Sequence, residues 1–120
     1  MLFKKRAKEK KRVVCPISII VQLIQETMDI DAGASEFVIL FEGKEHKVGV
    51  TSDCDYWEGF FDPLFYLDEQ EFDTLEGFKT GAVLDGQLFV QRTDNVEILD
   101  ADNGATKFPW YTIFENYVVD

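Results

Sequence analysis

The chain has 120 residues, 12 Lys and Arg against 23 Asp and Glu, a net charge of −11 and 46% hydrophobic residues. Such a composition excludes a disordered acidic tail, and the lack of a recurring period excludes a repeat array. The charge is unevenly divided. Residues 1 to 12 hold seven bases and one acid, which leaves five bases and 22 acids for residues 13 to 120, so a +6 arm precedes a −17 body.

The arm comes first in chain order. A run from Leu2 to Arg12 of this kind can touch nucleic acid, an anionic membrane surface, or the acidic body of its own or a second chain. Beside a −17 body the last contact ranks above nucleic acid, and a homodimer with exchanged arms is one form of it. Behind the arm, the apolar run Val13 to Ile24 has the outline of a secretory signal, with Ala32-Gly33-Ala34 as a cleavage-like triplet. Pro16, Ser18 and Gln22 interrupt the run, and Glu26, Asp29 and Asp31 lie between it and the triplet, so a cytoplasmic protein is expected rather than an exported one. The run is about 12 residues against the ~20 of a spanning helix, so no membrane span is expected.

Pro16 suits the first turn of a helix, and Ile17, Ile20, Val21, Ile24 and Met28 follow at helical spacing, predicting an amphipathic helix over 16–28. Asp29 to Ser35 reads as a loop. Phe37-Val38-Ile39-Leu40-Phe41 is the clearest strand, and with a turn at Gly43-Lys44 and a second strand through Val50 it predicts an antiparallel hairpin. The unbroken apolar run predicts a central strand covered on both faces. Leu64 to Leu67 predicts a short strand, and Asp73-Thr74-Leu75-Glu76 a capped helix ending near Thr80 and Gly81. Asp85-Gly86 and Asp94-Asn95 mark turns around a strand from Gln87 to Arg92, and Val96 to Leu99 predicts another. Asp100 to Gly104 reads as a loop. Beyond Pro109, the spacing of Trp110, Ile113, Phe114, Tyr117 and Val118 predicts a C-terminal helix, with a terminal strand as the alternative.

The expected fold class is α+β. It is a single small domain over residues 13–120, with a mostly antiparallel sheet of about four to six strands carrying an N-terminal helix, a short middle helix and a C-terminal helix.

Catalytic chemistry has little support. His46 is the only histidine, and a nucleophile–base pair would have to join it to Cys54, with no oxyanion donor or orienting group specified. None of the common hydrolase, zincin, P-loop or dinucleotide-binding motifs is present. Cys15 and Cys54 lack the paired spacing of a zinc site and read as thiols in a reducing compartment, since a bridge between them would require an oxidising one. No cofactor is expected.

Asp29-Ile30-Asp31-Ala32-Gly33 and Asp100-Ala101-Asp102-Asn103-Gly104 both match D-x-D-x-G, which makes Asp29, Asp31, Asp100 and Asp102 candidate ligands for a hard cation. Neither continues as an EF-hand loop, because Leu40 and Tyr111 stand where the twelfth-position Glu belongs. Ordinary Asx turns are the alternative.

Val48 to Phe78 contains no Lys or Arg, and nine acids are interleaved with eight aromatics there. Either the rings fill the core and the carboxylates face water, or part of the stretch is a recognition face in which aromatics anchor a contact and acids steer a basic partner to it. Asp53, Asp55, Tyr56, Trp57, Glu58, Phe60, Phe61 and Asp62 are the candidate partner-binding residues. Nucleic-acid binding by the body is disfavoured, because phosphate contacts need cations. The leading expectation is a non-enzymatic module for a basic protein partner, with the polarity of inhibitors or immunity proteins of basic toxins by charge analogy only. The alternative is a small-ligand or divalent-metal domain, or a minor enzyme using the Asp-rich loops or the His46/Cys54 pair.

Overall fold

A computed structural model describes residues 12–29, 34–55, 60–103, 114 and 116–119. It opens with a strand rather than a helix. β1 spans Arg12–Pro16, and its alternation buries Val13 and Cys15 while Arg12 stays exposed. Pro16 therefore closes a strand, where its missing N–H leaves no gap in the ladder. α1 follows at Ile17–Asp29 and buries Ile17, Ile20, Ile24 and Thr27, with Ser18, Gln22, Gln25 and Glu26 in water.

β2 (Ser35–Phe41) and β3 (Lys44–Asp55) form the expected hairpin. The two turn residues are Glu42 and Gly43, one position earlier than expected, both at positive φ of 49° and 79°. That geometry matches the twist of the flanking strands, and glycine adopts it without strain. β4 (Phe60–Leu67) returns along β3, and β5 (Gln70–Phe72) pairs with its last three residues. α2 (Leu75–Gly81) is capped by Thr74, whose hydroxyl accepts the Gly77 amide at 2.9 Å, so the threonine caps it rather than Asp73. A small hairpin of β6 (Val83–Leu84) and β7 (Gln87–Leu88) turns at Asp85-Gly86 and runs into a 3-10 turn at Phe89–Gln91, where one longer strand was expected. β8 spans Asn95–Asn103, and β9 is Val118–Val119.

Among the described residues the main sheet has seven strands in the order β5-β4-β3-β2-β8-β1-β9, and every pairing between them is antiparallel. The α+β class stands, with more strands than expected and a different helix placement. Of the segment expected to form a C-terminal helix, Phe114 is buried edge-on against Phe37, Asn116 and Tyr117 lie in a 3-10 turn, and β9 pairs with Arg12 and Val13. The other residues of that segment lie outside the described ones.

One face of the sheet carries the core. Phe37, Ile39, Val48, Val50, Phe65, Leu67 and Ile98 pack there beneath α1, α2 and the 3-10 turn, and Phe78 joins Phe65, Phe72 and Phe89 with ring centroids 6.0–6.2 Å apart. Burying each such ring contributes roughly 1.5–3 kcal/mol. β2 is central as expected, but its alternate residues Glu36, Val38 and Leu40 are only half-buried. The two-sided cover inferred from its apolar run is thus corrected. Neighbouring strands shield Val38 and Leu40 laterally, and among the described residues no helix lies over them.

Candidate functional site

The register brings Asp100 and Asp102 and the Asp53–Asp62 ribbon toward one end of the sheet. β2 begins there at Ser35, which pairs with Val50 of β3 and with Asn103 of β8. β1 runs antiparallel to β8, so Arg12 also lies at this end, opposite Val119 of β9. α1 runs the length of the sheet from the opposite end and finishes at Asp29, a few residues before Ser35. Among the described residues, Asp29, Asp100, Asp102, Arg12 and the far ends of β3 and β4 therefore lie toward the same end of the sheet.

The β3–β4 hairpin is longer than the strands beside it. β2 pairs with β3 only as far as Val50, and β5 pairs with β4 only from Phe65 onward. Thr51–Asp55 and Phe60–Leu64 continue past both as a two-stranded ribbon, in which Asp53 lies opposite Asp62, Cys54 opposite Phe61 and Asp55 opposite Phe60. Like charges directly opposite each other are unfavourable in an antiparallel pair. Tyr56, Trp57 and Glu58 lie outside the described residues.

The rest of the acidic aromatic stretch divides along its residue types. Phe65 and Phe78 are buried and Phe72 is half-buried, while Asp68, Glu69, Glu71, Asp73 and Glu76 are exposed. There the rings fill the core and the carboxylates face water, so the recognition reading contracts to residues 53–62.

The open face at the acidic end holds a shallow depression of about 270 Å³, lined by Glu36, Val38, Lys47, Tyr66, Asp100 and Asp102 among others. Gly49 makes it possible: opposite Glu36, it has no side chain, and a Cβ there would overlap the Ser35 carbonyl oxygen. Tyr66 sits across from Gly49 on β4 and donates its phenol to the Glu36 carboxylate. Burial first, and then the charge and hydrogen bond of Glu36, push the phenol well above its ordinary pKa, so it remains a neutral donor. Sequence reasoning missed Glu36 and Tyr66 because their spacing matches no motif and only the register brings them together.

Asp100 and Asp102 belong to β8 rather than to the expected loop. The ladder with β2 shifts between Val38 and Ile39, and that bulge hides the strand's alternation from a periodic reading. Both side chains are exposed, and Asp100 Oδ1 accepts the Ala101 amide at 2.9 Å. Among the described residues no group of three or more His, Cys, Asp or Glu side chains is placed to hold a metal ion. Asp29 ends α1, and Asp31 lies outside the described residues.

The His46/Cys54 pairing is ruled out by geometry. Both lie on β3, and eight residues along one strand span about 26 Å. His46 is instead engaged at the opposite end of the sheet. Its Nδ1 donates to Asp68 Oδ2 at 2.6 Å, its ring packs edge-on to Phe41, and the Arg92 guanidinium lies 4.6 Å from the Phe41 centroid. Asp68 also accepts the Lys47 amide at 2.9 Å and donates its own amide to the Lys47 carbonyl at 2.7 Å. The group ties the β4–β5 turn to β3. Cys15 is fully buried, and burial pushes its thiol up to about 11.

These features define a small α+β protein in which, among the described residues, the helices pack on one face of the antiparallel sheet, and Arg12, Asp29, Asp100, Asp102 and the β3–β4 ribbon lie toward one end. No protein-family model, curated protein or solved structure matches the chain. No helix among the described residues is long and apolar enough to cross a membrane.

Proposed function

We propose that the chain is a non-enzymatic binding module that engages a basic protein partner in the cytoplasm through the end of the β3–β4 ribbon. The contact residues are Asp53, Asp55, Tyr56, Trp57, Glu58, Phe60, Phe61 and Asp62. The observation that carries this reading is the register, in which Asp53 opposes Asp62 on a ribbon extending past both neighbouring strands. A two-stranded ribbon is marginal in water without further cover, and an opposed carboxylate pair is relieved by a cation between its members. A partner presenting Lys or Arg beside an apolar surface supplies both, the acids setting the encounter rate and the aromatics the dissociation rate. The basic arm is a second ligand for the acidic body, on its own or a neighbouring chain, and the −17 body takes no nucleic acid.

The test is a pull-down from the native host with the full chain and with an Asp53→Asn, Asp62→Asn variant, at low and high salt. A basic protein retained by the wild type at low salt, released at high salt and not retained by the variant supports the reading. Equal retention by both chains contradicts it.

A further inference from the structure

We infer that the β6–β7 hairpin, residues 83–88, is a strap fastened to the fold by the side chains of Gln70 and Arg92, and that it opens as a unit while the main sheet stays closed. Gln70 begins β5 opposite Leu67, toward the end of the sheet away from the Asp53–Asp62 pair, so the strap is independent of the partner-binding reading.

The base of the hairpin is pinned. Ala82 and Phe89, both fully buried, stand on either side of it. The Phe89 amide donates to the Ala82 carbonyl at 2.8 Å, and the Ala82 amide donates to the Phe78 carbonyl of α2 at 3.0 Å. Beyond that base the hold is slight. Among the described residues the hairpin forms a two-stranded sheet of its own, with two residue pairs. Of its six residues Leu84 alone is buried, while Val83, Asp85, Gly86 and Gln87 are exposed. The tip turns at Asp85 and Gly86 with φ of 51° and 80°, a two-residue geometry that sets the register in which the hairpin recloses.

Two side chains fasten the strap. The Gln70 carboxamide copies the peptide group of a neighbouring strand: its Nε2 donates to the Val83 carbonyl and its Oε1 accepts the Val83 amide, both at 2.8 Å. Arg92 donates through Nη1 to the Leu84 carbonyl at 2.9 Å. The same guanidinium is held in place from the other side, with Nε 2.9 Å from Asp94 Oδ1 and its centre 4.6 Å from the centroid of the Phe41 ring. A swing of the tip therefore breaks these three bonds and uncovers Leu84, a small fraction of what holds the whole fold. Lifted off, a ladder of two residue pairs does not persist in water, so the amides of Leu84 and Gln87 report the open state.

Native-state amide exchange on the full chain tests the strap. In the wild type the Leu84 and Gln87 amides should exchange at least about tenfold faster than those of Ile39 and Val48 in the central strands, at a rate insensitive to low denaturant. Gln70→Ala and Arg92→Lys should each speed both strap amides by about tenfold more than they speed Ile39 and Val48. Gln70 is half-buried on a short strand, so its truncation leaves the core in place. Wild-type exchange of Leu84 and Gln87 at the rate of the central amides overturns the inference, as does a Gln70→Ala chain in which all four amides speed up alike. A variant that speeds only one of the two strap amides overturns opening as a unit.

Discussion

Asp68 carries more contacts than its position in a short turn implies. It holds a positive φ of 55°, and its two carboxylate oxygens take the His46 ring and the Lys47 amide. Asp68→Ala removes both acceptors at a partly shielded site and should cost about 1–2 kcal/mol in a denaturant melt. Asp68→Asn keeps an acceptor and tolerates the left-handed backbone, so its loss should be smaller. Equal losses would mean that the carboxylate charge, which both substitutes lack, matters more than a neutral acceptor or the backbone conformation. Thr74→Ala removes the α2 cap and should cost about 1 kcal/mol. Cys15 supplies a pH test. Its ordinary pKa of 9.0 rises to about 11 in the fold, so between those values the unfolded chain releases a proton that the native chain keeps. The unfolded state gains, and the Cys15 contribution is present below about pH 9 and lost as the pH rises to about 11. Cys15→Ala should flatten that part of the decline in a melt series across this range. Of these three residues only the α2 cap region was legible in the sequence, because a cap is a local pattern. The Asp68 contacts join residues 21 and 22 positions apart, and no local pattern records them.

At the scale of elements, the β2–β3 hairpin and the two central helices were readable because each is encoded by a period and a turn residue within about a dozen positions. β1 was not. Its five residues merge with α1 in one apolar run, and Pro16 is as compatible with a strand's end as with a helix's first turn. β8 was read short because the bulge near Leu99 breaks its alternation and Asp100 to Gly104 has the composition of a turn. The C-terminal segment offered both periods, and Val118–Val119 took the strand because β1, itself unread, supplied the partner. Gly49 tests how tightly the central pair is packed. A Cβ there meets the backbone of Ser35 and Glu36 rather than a movable side chain, so Gly49→Ala should destabilise by about 1–3 kcal/mol and shift the Tyr66 phenol titration as the Glu36 bond is disturbed. An unchanged melting temperature would mean that β2 and β3 can separate freely at this point.

For the whole molecule, a net charge of −11 conceals an arrangement. The sequence showed a basic arm, two Asp-rich segments and an acidic aromatic stretch, but as separate stations along the chain. Antiparallel pairing turns β1, β2, β3 and β8 so that Arg12, Asp29, Asp100, Asp102 and the Asp53–Asp62 ribbon lie toward one end. Convergence of this kind depends on strand order, which composition does not encode. It also narrows the candidate partner face, since Phe65 and Phe78 went to the core. The most direct test of that face is the affinity of the full chain for the basic protein it retains, measured by calorimetry at low and high salt beside Asp53→Asn, Asp62→Asn. The account expects the wild-type affinity to fall with salt and the variant to bind about tenfold more weakly at low salt, a loss of about 1.4 kcal/mol. Equal affinities for the two chains, or an affinity indifferent to salt, would contradict it.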